Sequence, residues 1–176
     1  MGHGSVRSLP QSLRYGVRVT EPITLDRIDR RILEVLQADG RITNQALSER
    51  VALSPSACLA RVRRLERAGV IDGYMARLNP LTLGPRLVVF AEIWLERHHP
   101  TNFAAFEAAL AGIPEVVEAS HVTGDFDYLL KVVVPDMASW TRLAEDLVAR
   151  DIGVDRVSTH VLMSKPKIFR GYPATP

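Results

Sequence analysis

Between residues 23 and 71 the apolar positions recur every three or four residues. Leu25, Ile28, Ile32, Val35 and Leu36 form one stripe along PITLDRIDRRILEVLQADG, the spacing of an amphipathic helix. Thr24 can cap it, Ile23 can fold against Ile28 as a hydrophobic staple, Asp26 suits the first turn, and Gly40 can supply a left-handed exit. A shorter helix follows in TNQALSERV, with Thr43 as N-cap and Ala46, Leu47 and Val51 inward. The third begins at Ser54, with Pro55 at the first helical position, where a missing N–H costs nothing. It closes at Gly69, and Val70 is placed for a Schellman contact.

After Ile71 the period changes. IDGYMARL reads as a strand, and NPLTLGP, with two prolines and a glycine, marks a hinge. Beyond it come strand RLVVFAEIWLE, helix NFAAFEAALAG, strand EVVEASHV, turn TGD, strand FDYLLKVVV, helix DMASWTRLAEDLVAR and strand VDRVSTHVLM. The order βαββαβ predicts an α+β sandwich of the ferredoxin-like kind behind a three-helix, helix-turn-helix domain. Two helices cover only one face of a four-stranded sheet. The other face, carrying Val89, Ile93, Val132 and Val134 or their alternates, is too apolar for water, so a second subunit should cover it.

The expected divisions are a flexible N-terminal tail at 1–24, the helix-turn-helix domain at 25–72, a linker strand and hinge at 73–85, the βαββαβ domain at 86–164 and a C-terminal tail at 165–176. Charge follows these divisions. Residues 1–85 carry 13 basic against 8 acidic groups, residues 86–164 carry 6 against 12, and the last segment 3 against none, within a formal net charge of +2. A basic N-terminal part beside an acidic body points to a polyanionic partner for the former. One cysteine, Cys58, excludes an intrachain disulfide and cysteine-pair zinc sites, and its inward position favours a small buried hydrophobe over a redox sensor. No signal-like or membrane-spanning apolar run is present, so a reducing cytoplasm is the expected setting.

Four arginines lie within seven residues of the third helix, at positions 61, 63, 64 and 67. Cys58, Val62 and Leu65 take its inward face, while Ala57, Arg61, Arg64 and Ala68 share another, kept slim by Ala60. Small residues and planar guanidinium forks suit insertion into a DNA major groove. A three-helix protein-binding module with a solvated basic face is the alternative. Arg41, Arg63 and the N-terminal tail are further candidates for phosphate contacts. In VTGDFDYLLKVVV, Gly124 permits a tight turn and Asp125 and Asp127 bracket Phe126. Free carboxylates beside backbone groups there could hold an amino acid, although Gly-Asp pairs are also ordinary hairpin chemistry. For catalysis, His98, His99, His121 and His160 have no nucleophile at helpful spacing, and no phosphate loop or paired metal motif appears. The chain is not expected to be an enzyme or to need a cofactor.

From about Leu25 to Met163, LDRIDRRILEVLQADGRITNQALSERVALSPSACLARVRRLERAGVIDGYMARLNP followed by VTGDFDYLLKVVVPDM resembles the Lrp/AsnC, or feast/famine, regulators, nearest the leucine-responsive type. The resemblance implies a winged-helix-like DNA-binding domain, a C-terminal domain that dimerises sheet to sheet, octameric discs, and a small effector, usually an amino acid, between dimers. It places Thr43, Asn44, Gln45, Ser54, Ser56, Ala57, Arg61, Arg63 and Arg64 on double-stranded DNA. It assigns Gly124, Asp125, Phe126, Asp127, Ile152, His160, Val161 and Leu162 to the effector. His160 stands where the leucine-responsive branch usually has tyrosine, which is compatible with a different or more polar amino acid, with a response coupled to pH, or, first among these, with a simply packed histidine. The competing expectation is a metabolite-independent architectural protein that bends DNA.

Overall fold

The computed structural model describes residues 23–96 and 100–174, so the expectations for the first 22 residues and for His98 and His99 lie outside it. The chain forms two units: one runs to Ala76 and takes in the segment from Ile168 onward, the other spans Arg77–Lys167.

The first unit holds α1 (Arg27–Ala38), α2 (Asn44–Arg50) and α3 (Pro55–Arg67). Ile32, Val35, Leu47, Val51, Cys58 and Leu65 are its buried apolar centre, each fully buried Leu or Ile contributing about 1.5–3 kcal/mol. Ser54 caps α3 by accepting from Ala57 N at 3.3 Å. Gly69, at φ 69°, ends it: Val70 N donates to Leu65 O and Gly69 N to Glu66 O, a complete Schellman motif.

Three local expectations are corrected. Asp26, not Thr24, caps α1: its side chain accepts from Asp29 N at 2.8 Å, and Asp29 Oδ2 accepts from Asp26 N at 3.0 Å. This reciprocal box satisfies two otherwise orphaned N–H groups, which one threonine could not. Gly40 is not left-handed, because α1 ends on Asp39, whose N–H still donates to Val35 O. The stretch after Ile71 has no regular structure and pairs with no described strand, and Tyr74 instead donates to Glu66 Oε1 at 3.0 Å.

The second unit contains a short 3-10 turn (Pro80–Leu83), β1 (Leu87–Leu95), α4 (Pro100–Leu110), β2 (Val116–His121), β3 (Tyr128–Val134), α5 (Met137–Ala149) and β4 (Val154–Val161). The strands are antiparallel in the order β2-β3-β1-β4, the ferredoxin-like arrangement expected from βαββαβ. Val89, Ala91, Ile93 and Leu95 of β1 and Leu130, Val132 and Val134 of β3 pack with Phe106, Leu110, Trp140 and Leu147 of the helices. The strand period of two therefore settles the uncovered face. Val89, Ile93, Val132 and Val134 lie under the helices, and their alternates Val88, Phe90, Trp94, Leu129 and Val133 form the open face. Among the described residues no helix is long and apolar enough to cross a membrane.

Candidate nucleic-acid interface and effector site

The start of α3 is held by α2. Thr43 caps α2 through Ala46 N at 3.2 Å, and the next residue, Asn44, donates from Nδ2 to Pro55 O at 2.9 Å. Gln45 donates to Glu49 Oε1 along the outside of α2 at 2.9 Å. Ser54 and Ser56 bring their hydroxyls within 3.2 Å of each other. Ser56 and Ala57 are both exposed in the first turn of α3, where N–H groups and the positive end of the helix dipole favour phosphate.

Arg61 and Arg64 do not present free guanidinium forks. Arg61 Nη1 donates to Asp26 Oδ2 at 2.6 Å and Asp29 Oδ1 at 2.8 Å. Arg64 Nη2 donates to Asp29 Oδ2 at 2.5 Å. The Asp29 side chain has no exposed surface, so removing either arginine would leave a buried carboxylate undercompensated. The backbone N–H of Asp29, helped by the Arg61 guanidinium, holds the Asp26 carboxyl down at about 2. These four side chains lock the first turn of α1 to the middle of α3.

The outward stripe of α3 is instead Ser56, Ala60, Arg63 and Arg67, opposite the face of Cys58 and Leu65 and exposed throughout. Arg63, one of the expected residues, belongs to it. Sequence reasoning missed a second basic feature: Arg27, Arg30, Arg31 and Arg50 line a hollow of about 330 Å³ beside Val51 and Ala52, at the turn that leads into α3. Among the described residues the one acid on its rim is Glu34, already paired with Arg31 at 3.0 Å. Burial pushes the Cys58 thiol up, in keeping with a packing role.

In the second unit Gly124 takes φ 139°, a conformation that favours glycine, and Asp125 beside it is exposed. Asp127 is not the free carboxylate expected. It is 7 % exposed, and its Oδ2 accepts from Leu95 N at 2.8 Å, fastening the turn to the end of β1. Phe126 meets Trp94 edge-on, with centroids 5.9 Å apart, and the Arg156 guanidinium carbon lies 3.7 Å above the Trp94 ring. This aromatic and cationic column was not foreseen, because Arg156 and Trp94 become neighbours only through the β1–β4 register.

The other proposed effector residues divide. Ile152 is half-buried against the core just before β4, at the same end of the sheet as the 124–127 turn. His160, Val161 and Leu162 lie at the other end: Val161 pairs with Val89, and Leu162 N donates to Val88 O at 2.9 Å. From Leu95 to Val89 the strand runs roughly 20 Å at its usual rise, so one subunit does not gather the two sets. His160 Nε2 is 3.4 Å from Glu92 Oε1 and 3.4 Å from Ser158 Oγ on the open face. His121 stacks on Tyr128 at 4.6 Å and meets the tilted ring of Phe103 at 4.8 Å, the three forming one aromatic cluster.

A three-helix unit with a basic outward stripe suits a polyanion, and an α+β unit with an open sheet face and a polar turn suits a partner subunit and a small ligand. The winged helix-turn-helix DNA-binding family matches residues 25–72, and the Lrp/AsnC ligand binding domain matches residues 88–172, reaching well past Met163. The chain is 52% identical over 143 residues, 81% of its length, to the leucine-responsive regulatory proteins of Salmonella typhimurium and Escherichia coli, covering 87% of each. It also resembles the crystal structure of an AsnC family transcriptional regulator from Agrobacterium tumefaciens, with TM-score 0.78 and 34% identity over 85% of this chain and 97% of that one. A transcriptional regulator from Neisseria meningitidis in complex with L-methionine gives TM-score 0.76 and 37% identity over 82% and 94% of the two chains. The chain belongs to the Lrp/AsnC family, a family of transcriptional regulators and not of enzymes.

Proposed function

We propose that the protein is a cytoplasmic regulator whose hold on DNA responds to an amino acid bound where dimers of its second unit meet. The observation that carries this reading is the division of the expected effector residues between opposite ends of one sheet. A site needing both the 124–127 turn and the His160–Leu162 end is completed by another copy. The open face, with Val88, Phe90, Leu129 and Val133 exposed to partnering, suits pairing of subunits, and four such dimers would make the octamer. The Neisseria relative in complex with L-methionine supports the ligand class. Asp125 and the Trp94–Phe126–Arg156 column offer a carboxylate, an apolar wall and a cation, groups that match an ammonium, a side chain and a carboxylate.

On DNA, each dimer would set two α3 helices into major grooves about one helical turn or a multiple apart. Ser54, Ser56, Ala57 and Arg63 would meet the duplex directly. Thr43, Asn44 and Gln45 would frame it from α2, and Arg61 and Arg64 would act chiefly by holding α3 in place. The four-arginine hollow would take backbone phosphate.

The test is a thermal-shift screen of the twenty amino acids, with light scattering and DNA mobility shift on the hits. At least one amino acid should raise the melting temperature and change both assembly mass and DNA affinity. Assembly and DNA binding indifferent to all twenty would overturn the reading in favour of an architectural protein.

A further inference from the structure

After β4 the chain returns to its first unit. Residues 164–167 lead out of the second unit, and the segment from Ile168 lies along α1. There the Gln37 amide grips the backbone of Tyr172 from both sides. Gln37 Oε1 accepts from Tyr172 N at 2.6 Å, and Gln37 Nε2 donates to Tyr172 O at 2.9 Å. A neighbouring β-strand would offer the same donor and acceptor. Two residues on, Arg30 Nη1 donates to Ala174 O at 2.8 Å. Gly171 sits at φ 135°, and a Cβ there would run into the Gln37 side chain, so the close approach needs glycine. Phe169 and Tyr172 stack edge to face with centroids 4.9 Å apart. Tyr172 and Pro173 close one wall of a hollow of about 410 Å³ whose other walls include Leu33, Leu36, Ile71 and Tyr74.

We propose that residues 168–174 are a strap that clasps α1 and makes DNA affinity depend on the position of the C-terminal end of β4. The inference rests on the effector reading above. His160, Val161 and Leu162 lie immediately upstream, and the five peptide steps from Met163 to Ile168 span at most about 18 Å when fully extended. An effector that shifts the end of β4 therefore draws on the strap, which is fastened to the helix that Asp29 locks to α3. The Gln37–Tyr172 bonds lie on the surface, so opening the clasp costs the partly buried Arg30–Ala174 bond and the cover over Leu33, Leu36 and Ile71 but leaves Ile32, Val35 and Leu65 packed. Opening and closing supply the two states that an effector can bias.

The test uses the full chain, the surface substitution Gln37→Ala and a chain ending at Lys167. Amide exchange at Tyr172 should be about tenfold faster in Gln37→Ala than in the wild type. Equal exchange overturns the clasp, and protection that grows with protein concentration overturns its intramolecular form, since the strap would then come from another copy. With the amino acid found in the screen, both variants should bind it within about twofold of wild type while its effect on DNA affinity largely disappears. Full retention of that effect overturns the coupling. If none of the twenty amino acids binds, the effector reading and the coupling built on it fail, and exchange at Tyr172 alone decides whether the clasp exists.

Discussion

Arg61 lies against Asp29, with Nη1 2.8 Å from the Oδ1 of a carboxylate that has no exposed surface. The contact joins α3 to the cap of α1 and turns a residue of groove-reading type into a brace. Arg61→Ala should therefore weaken DNA binding by loosening the unit, and replacing Arg61 and Arg64 together by alanine should destabilise it by about 3–5 kcal/mol, the usual cost of leaving a buried charge unpaired. Urea denaturation measures both. Arg63→Ala on the outward stripe should leave stability unchanged while removing about 1–3 kcal/mol of discrimination between operator and random DNA. An Arg61→Ala protein as stable as wild type would refute the brace.

The four-arginine hollow gives a salt prediction. Replacing Arg27 and Arg50 together by glutamine should lower the slope of log affinity against log salt by about two, at roughly 0.9 per phosphate contact, with sequence preference intact. Titrations at four or five salt concentrations suffice, and an unchanged slope would remove the hollow from the interface.

Acid stability should report the Asp26 cap. Its carboxyl is depressed to about 2 in the folded protein from an ordinary 3.8, so its contribution is present above about pH 4 and lost as pH falls toward 2. At Asp26 the folded and unfolded states differ in bound protons only within that window. Asp26→Asn should flatten the stability-versus-pH curve there and leave it parallel to wild type above pH 5, as read by circular dichroism in urea.

The two aspartates of the 124–127 turn should behave differently. Asp127→Ala strands Leu95 N and should destabilise the second unit by about 1–3 kcal/mol. Asp125→Ala, at an exposed position, should keep stability and DNA binding while blunting the response to the amino acid. Calorimetry with the effector and thermal melts of both variants separate the two roles.

What the sequence made legible was local. Ser54-Pro55 and Gly69 mark α3 because cap chemistry acts within a few residues, and apolar periods of 3.6 and two locate the remaining helices and the four strands. Thr24 and Asp26 are both good capping residues, and the choice between them turned on a reciprocal partner at Asp29. A helical wheel puts Arg61 and Arg64 on one face but is silent on what that face meets. Their partners lie 32 to 35 residues upstream. The available signal was two matching intervals of three, Asp26 to Asp29 and Arg61 to Arg64, which let two acids meet two bases across a helix pair. Asp127 was misjudged for the same reason, since its acceptor role depends on Leu95 in another strand. The strap lies further still from local pattern, with contacts 135 and 144 residues apart.

The two tryptophans occupy contrasting surroundings. Trp140 is 1% exposed and donates to Thr159 Oγ1 at 3.0 Å, inside the second unit. Trp94 lies half-covered on the open face beneath Arg156. Intrinsic fluorescence of the native chain therefore combines a steady internal reference with an indole that senses the outside. If the proposed pairing covers that face, its emission should move to the blue, and assembly can be followed in a fluorimeter with no dye attached.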